Sequence, residues 1–257
     1  MARLARVVAL NTPHHITQRG NGRRAVFESD SDQLVYLDLL RHHCAVHRLS
    51  LAGYCLMTNH VHLIVIPTRD DSLLLALKHT HGRYAAYCNA RHAASGHLWQ
   101  GRYYSCPLDE PHFWAALRYT ELNPVRAGMV AEPERYRWSS AAAHCRDQAD
   151  AWLEMQWWRA VWTPATWRAY LTAAGAEADA EAIRRNTHTG RPLGGEDFVT
   201  DLERALRRRL APGKGGRPPK TEVDARQQSA DNVPSVTGLV VTGLVWFPLA
   251  SYVNPRW

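Results

Sequence analysis

The 257-residue sequence holds no C-x-x-C pair, and its five cysteines, Cys44, Cys55, Cys88, Cys106 and Cys145, are irregularly spaced. An odd, scattered set argues against a disulfide framework; buried thiols in a reducing, cytoplasmic setting are expected. No long apolar run follows the N-terminal Met-Ala-Arg-Leu-Ala-Arg, so no secretory signal is read. No internal repeat stands out, and there is no G-x-x-x-x-G-K-[ST] loop, so no nucleotide cofactor is expected. Charge is missing from Val233 to Pro255, yet Pro234, Pro248 and several Gly, Ser and Thr interrupt that stretch. A membrane span needs about 20 apolar residues, so no membrane partner is expected and this segment reads as a disordered tail.

What is present is positive charge. The formal net charge is +7, which favours polyanionic partners and nucleic acid first among them. With 46% hydrophobic residues the chain can bury one substantial core and a smaller helical appendage.

Three regions follow from the patterning. Residues 1–146 alternate strand-like and helix-like segments. His14 to Arg19 reads as a strand, and Asn21-Gly22 as a turn. Ser29-Asp30-Ser31-Asp32 caps a helix whose face is Leu34, Leu37, Leu40 and Cys44. Leu51 to Met57 and His60 to Ile66 read as a hairpin around Thr58-Asn59, ended by Pro67. A helix opens at Ser72, a strand spans Leu98 to Cys106, and Asp109-Pro111 start a helix that Pro124 ends near Asn123. Adjacent strands exclude an all-parallel sheet. The expected fold is α+β: a ferredoxin-like antiparallel sheet with helices packed on one side. Residues 147–210 read as a helical extension with a small core of Trp152, Trp157, Trp158, Trp162 and Trp167. Residues 211–257 read as a basic linker and disordered tail, in which Gly216-Arg217-Pro218 among lysines resembles a minor-groove hook and reads equally as linker.

His60-Val61-His62 is the sharpest local feature. Residues i and i+2 of a strand share a face, so two imidazoles project side by side, close enough to share a divalent cation. With 14 histidines, the other close pairs, His14-His15, His42-His43 and His79/His81, are expected by chance. Tyr119 and Asn123 lie four apart near a helix end and so on one face. The amide could complete a cation site and the phenol could attack a phosphate held there. On residues alone, a core tyrosine and a helix-terminal asparagine before proline are the slightly better reading.

Together, the segments MTNHVHLIV (57–65) and YTELNPVRAG (119–128) resemble the single-tyrosine (Y1) HUH transposases of the IS200/IS605-like superfamily, and among them the REP-associated tyrosine transposases. HHITQRGN, LWQGRYYS and RWSSAAAH fit that pattern, and GRPLG (190–194) resembles a motif of its C-terminal extension. The resemblance covers roughly residues 5–220. It implies that His60 and His62 bind the metal, that Tyr119 is the nucleophile and that Asn123 is the third ligand. It implies Mg²⁺ or Mn²⁺ as the working ion, single-stranded or hairpin DNA as substrate, a 5′-phosphotyrosine intermediate and a monomer or homodimer. The extension is expected to bind DNA. Glu121 stands where some relatives have histidine, but two residues from Tyr119 on a helix it points elsewhere.

Arg19, Arg23, Arg24, Arg83, Arg91 and Arg102 are the candidate DNA-backbone contacts, and Trp99, Tyr103 and Tyr104 the candidate base-stacking residues. Two other classes remain. A non-catalytic regulator that binds single-stranded nucleic acid with the same fold would not need Tyr119. A metal-dependent hydrolase would usually want carboxylate ligands, and no acidic residue adjoins the histidine pair.

Overall fold

The computed structural model describes residues 5–211, so the tail beyond, with its Gly-Arg-Pro segment, lies outside the described residues. Four strands, β1 (His14–Arg19), β2 (Leu49–Met57), β3 (His60–Pro67) and β4 (Tyr104–Pro107), form one sheet in the order β2-β3-β1-β4. All three pairings are antiparallel. Helices α1 (Asp30–Val46) and α2 (Ser72–Arg91) connect them, giving the βαββαβ order of a ferredoxin-like unit.

α1 starts where the Asp32 carboxylate accepts the backbone N–H groups of Ser29 and Glu28 at 2.9 and 2.8 Å. Its buried face is Tyr36, Leu37, Leu40 and Cys44, while Leu34, expected on that face, is exposed. α1 and α2 cover one side of the sheet in a core with Ile16, Val61, Leu63 and Val65. Strand alternation sends Ile64 and Cys106 to the other side. There they pack with Phe113, Trp114 and Leu117 of α3 (Glu110–Glu121). The one-sided expectation therefore holds for α1 and α2, but the second face is covered as well. The near-continuous burial of β2 and β3 is the mark of a sheet covered on both faces.

Asp109 caps α3 by accepting the His112 N–H at 3.1 Å. A Cβ on Gly53 would lie 2.2 Å from Leu117 Cδ1, so glycine is what lets α3 lie against β2 at this distance. Pro124 does not end the helical path as expected. It sits in the first turn of a short α4 (Asn123–Arg126), where its missing N–H costs no hydrogen bond. The expected strand 98–106 is also shorter, because residues 98–103 form a loop with Gly101 at φ 72°.

After α4 come α5 (Ala141–Arg146) and then the helices of the C-terminal extension, α6 (Gln156–Arg159), α7 (Pro164–Thr172), α8 (Ala176–Thr189) and α9 (Glu196–Leu206). Trp158 and Trp167 are fully buried, but not in a core of their own. They share the second-face core with Ile64, Phe113 and Leu117. α8 packs on α3 and β4, and so lies beside the helix that carries Tyr119. Among the described residues no helix is long and apolar enough to cross a membrane.

Candidate active site

The second face of the sheet places His15, Thr17, His60 and His62 together, because β1 and β3 run antiparallel with Thr17 opposite His62. The His60 and His62 ring centroids lie 5.0 Å apart. Tyr119 reaches them from α3, its ring edge-on to His62 at 5.5 Å and to His15 at 5.7 Å. Asn123 follows at the start of α4 and donates through Nδ2 to the Tyr119 carbonyl at 3.1 Å, which engages the nitrogen end of its amide. All four sequence-derived residues line one open cavity of about 560 Å³, and one chain supplies them all.

Both histidines of the pair are set up as neutral ligands. The His60 Nδ1–H donates to Asn59 Oδ1 at 2.6 Å, and His62 Nδ1 lies 2.9 Å from His15 Nε2. In each ring Nε2 is then the nitrogen left for a cation. Burial first, then nearby Arg19, holds the His60 pKa down to about 4, and burial pushes His62 well below its ordinary value. Two neutral imidazoles and an amide oxygen form a borderline N,N,O donor set that fits a divalent ion with open positions. Among the described residues no group of three or more His, Cys, Asp or Glu is placed to hold a metal.

The walls are cationic. Arg19, Arg23, Arg126 and Arg184 line the cavity, and among the described residues no carboxylate does. Arg126 lies over the Tyr119 ring at 4.4 Å from its centroid, and its guanidinium donates to the Tyr119 carbonyl. Arg184 lies 5.6 Å from the same centroid, and a hydrogen bond with Tyr119 leads the causes that raise its own pKa. Such a pocket concentrates phosphate and repels acidic groups.

Residues 9–123 match the family model described as IS200-like transposase. Over these residues the chain is similar to the IS200-like transposases. A solved structure of a REP-associated tyrosine transposase bound to a REP hairpin is 14% identical, with a TM-score of 0.50 over 60% of this chain and 92% of that one. That similarity is one of fold. A crystal structure from Deinococcus radiodurans R1, described as a candidate transposase, is 17% identical, covers 50% of this chain and 92% of that one, and has a TM-score of 0.33. No curated protein matches this sequence significantly.

The other sequence candidates separate by place. Arg19 and Arg23 reach the cavity, and Arg102 lines the neighbouring grooves. Arg24 instead donates to the His97 carbonyl at 2.9 Å, Arg91 is paired with Asp32, and Arg83 lies on α2, on the opposite side of the sheet. Trp99 and Tyr103 are core residues, held by hydrogen bonds to the His81 and Leu73 carbonyls, because the loop that carries them folds onto α2. Of the three aromatics only Tyr104 lines the cavity, stacked on His188 at 5.1 Å. Glu121 points away from the cavity, as its spacing implied. It is fully buried against Ser140, His144 and Trp167. Four site residues went unrecognised: His15, Arg126, Arg184 and Thr187. His15 was set aside as chance, although its even spacing from Thr17 puts it on the face that meets His62. Arg184 and Thr187 carry no local signal, because only the fold brings α8 to the site.

Proposed function

We propose that this chain is a REP-associated type of single-tyrosine DNA transposase, which nicks and rejoins single-stranded or hairpin DNA through Tyr119. The observation that carries the reading is the Tyr119 ring, 5.5 Å from His62 in a cavity that, among the described residues, four arginines and no carboxylate line. That is a nucleophile beside a cation pocket, inside walls suited to a phosphodiester.

The Tyr119 oxygen attacks the scissile phosphorus. An O–P bond forms as the bond to the 3′ oxygen breaks; the phenol gives up its proton and the leaving 3′ oxygen gains one. The products are a 5′-phosphotyrosine and a free 3′-OH. The ester conserves the bond energy, so attack by another 3′-OH reseals the strand without a nucleotide cofactor. His60, His62 and Asn123 would hold Mg²⁺ or Mn²⁺, which would supply Lewis-acid stabilisation of charge on the phosphate oxygens. Arg126 and Arg184 hold the nucleophile's ring and add positive charge where the phosphate becomes more negative. Arg19 and Arg23 receive the flanking backbone, and Tyr104 offers a base-stacking face. The extension at 147–210 contributes to DNA binding through α8, which brings Arg184 and His188 to the cavity.

The test is incubation of the full chain with end-labelled hairpin and single-stranded DNA panels in Mn²⁺, read on denaturing gels. The reading predicts a covalent protein–DNA band that disappears in Tyr119→Phe and in His60→Ala. Binding to the same DNA with no covalent band across the panel would favour a non-catalytic regulator. Cleavage that persists in Tyr119→Phe would favour a hydrolase.

A further inference from the structure

We infer that α8, which lies outside the family match, is part of the cation site: Thr187 fixes His15, and His15 fixes the proton position of the metal-binding His62. The inference rests on the reading of His60 and His62 as cation ligands.

The contacts form an unbroken line. His62 Nδ1 lies 2.9 Å from His15 Nε2, and His15 Nδ1 lies 2.7 Å from Thr187 Oγ1. The two imidazoles lie edge to edge, with centroids 5.2 Å apart and 15° between their planes. All three groups are buried, with His15 at 1%, Thr187 at 2% and His62 at 5% exposure, so water does not compete for these bonds.

A neutral imidazole has one N–H and one lone pair, so only two proton arrangements satisfy the line. In one, His62 Nδ1–H donates to His15 Nε2, His15 Nδ1–H donates to Thr187 Oγ1, and His62 Nε2 is free to bind a cation. In the other, the Thr187 hydroxyl donates to His15 Nδ1, His15 Nε2–H donates to His62 Nδ1, and His62 Nε2 carries the proton and cannot bind. A cation on His62 Nε2 requires the first, which makes Thr187 the acceptor. His15 and Thr187 are therefore positioning residues that act through His62.

The rest of the extension holds Thr187 in register. Gly190, at φ 74°, caps α8 after Thr189, and Asn186 Nδ2 donates to the Pro192 carbonyl at 2.8 Å. The Leu193 N–H donates to the Pro107 carbonyl at 2.9 Å, and the Asp109 N–H donates to the Leu193 carbonyl at 3.2 Å. A Cβ on Gly194 would meet Asp109 Oδ2 at 2.8 Å. This gives the GRPLG segment a role: it clamps the end of α8 onto the junction of β4 and α3, and thereby keeps Thr187 against His15.

The experiment is Mn²⁺ titration of the full chain by calorimetry, with histidine ¹⁵N NMR to read the tautomers. Wild type should bind Mn²⁺ with an affinity lost in His60→Ala; absence of that binding would sink both the cation-pair reading and this inference. Given wild-type binding, Thr187→Val, which keeps the shape and removes the acceptor, should weaken Mn²⁺ by about tenfold to a hundredfold. It should also move the His62 proton toward Nε2. Thr187→Ser should bind within about threefold of wild type, and His15→Gln should weaken binding at least as much as Thr187→Val. An unchanged affinity and an unchanged His62 tautomer in a folded Thr187→Val protein would overturn the relay while leaving the cation pair intact. A wild-type His62 protonated on Nε2 in the absence of metal would overturn it too.

Discussion

Glu121→Ala removes the buried carboxylate that ties α3 to the C-terminal extension, and its cost can be worked from its partners. Glu121 is fully buried and accepts from Ser140 Oγ at 2.6 Å, His144 Nδ1 at 2.5 Å and Trp167 Nε1 at 2.9 Å. Removing it strands three buried donors, each worth about 1–3 kcal/mol when left unmet. Ser140 has a second acceptor in the Tyr54 carbonyl at 3.4 Å, so its loss is partly recovered. The expected total is about 3–5 kcal/mol, in line with breaking a buried polar pair from one side. Urea unfolding followed by tryptophan fluorescence and far-UV circular dichroism reads this directly. With an m-value of about 2–3 kcal/mol/M, the midpoint should fall by about 1–2 M. Since Glu121 follows Tyr119 by two residues on the same helix, adduct formation should fall as well. A loss under about 1 kcal/mol would refute the claim that these bonds lock the extension onto α3.

Other perturbations have equally definite outcomes. His14 and His81 are fully buried, and burial holds their pKa values near 4 and 3. Below the unfolded value of about 6.5 the unfolded chain therefore binds more protons, so stability falls with pH, by about 2–3 kcal/mol at pH 5.5 for the pair. Urea unfolding that gives equal stability at pH 7.5 and 5.5 would contradict this. Gly194→Ala places a Cβ 2.3 Å from Phe198 Cδ1 and 2.8 Å from Asp109 Oδ2. It should cost about 1–3 kcal/mol in thermal unfolding, and a neutral result would show that the clamp yields. Arg184→Ala removes a cavity charge and a Tyr119 neighbour, so single-stranded DNA affinity should fall and the slope of log K against log salt should decrease in magnitude by about 1. An unchanged slope would place Arg184 outside the DNA contact.

The fold was legible wherever periodicity was clean. Alternation in HHITQR and HVHLIVI marked the central strands, and the Ser29 and Asp109 caps marked the two helix starts. The second face was less legible. The tryptophans of the extension announce a core, but not that they share it with Ile64 and Leu117. Tertiary packing overrode local pattern at 98–103, where a strand-like run folds as a loop around Gly101, and at Leu34, which periodicity placed inside. Of the site, Tyr119, His60, His62 and Asn123 were readable because strand and helix spacing fix which side chains share a face. His15 was readable by the same rule but looked like one chance histidine among 14. Arg184 and Thr187 were not, since no local pattern records that a helix far along the chain lies against β1 and α3.

The most direct measurement is peptide mapping of the covalent species formed on hairpin DNA in Mn²⁺. After nuclease digestion, mass spectrometry of the tryptic peptides should find a 5′-linked nucleotide on Tyr119 and nowhere else. A nucleotide on another residue, or cleaved DNA with unmodified Tyr119 at every time point, would contradict the account.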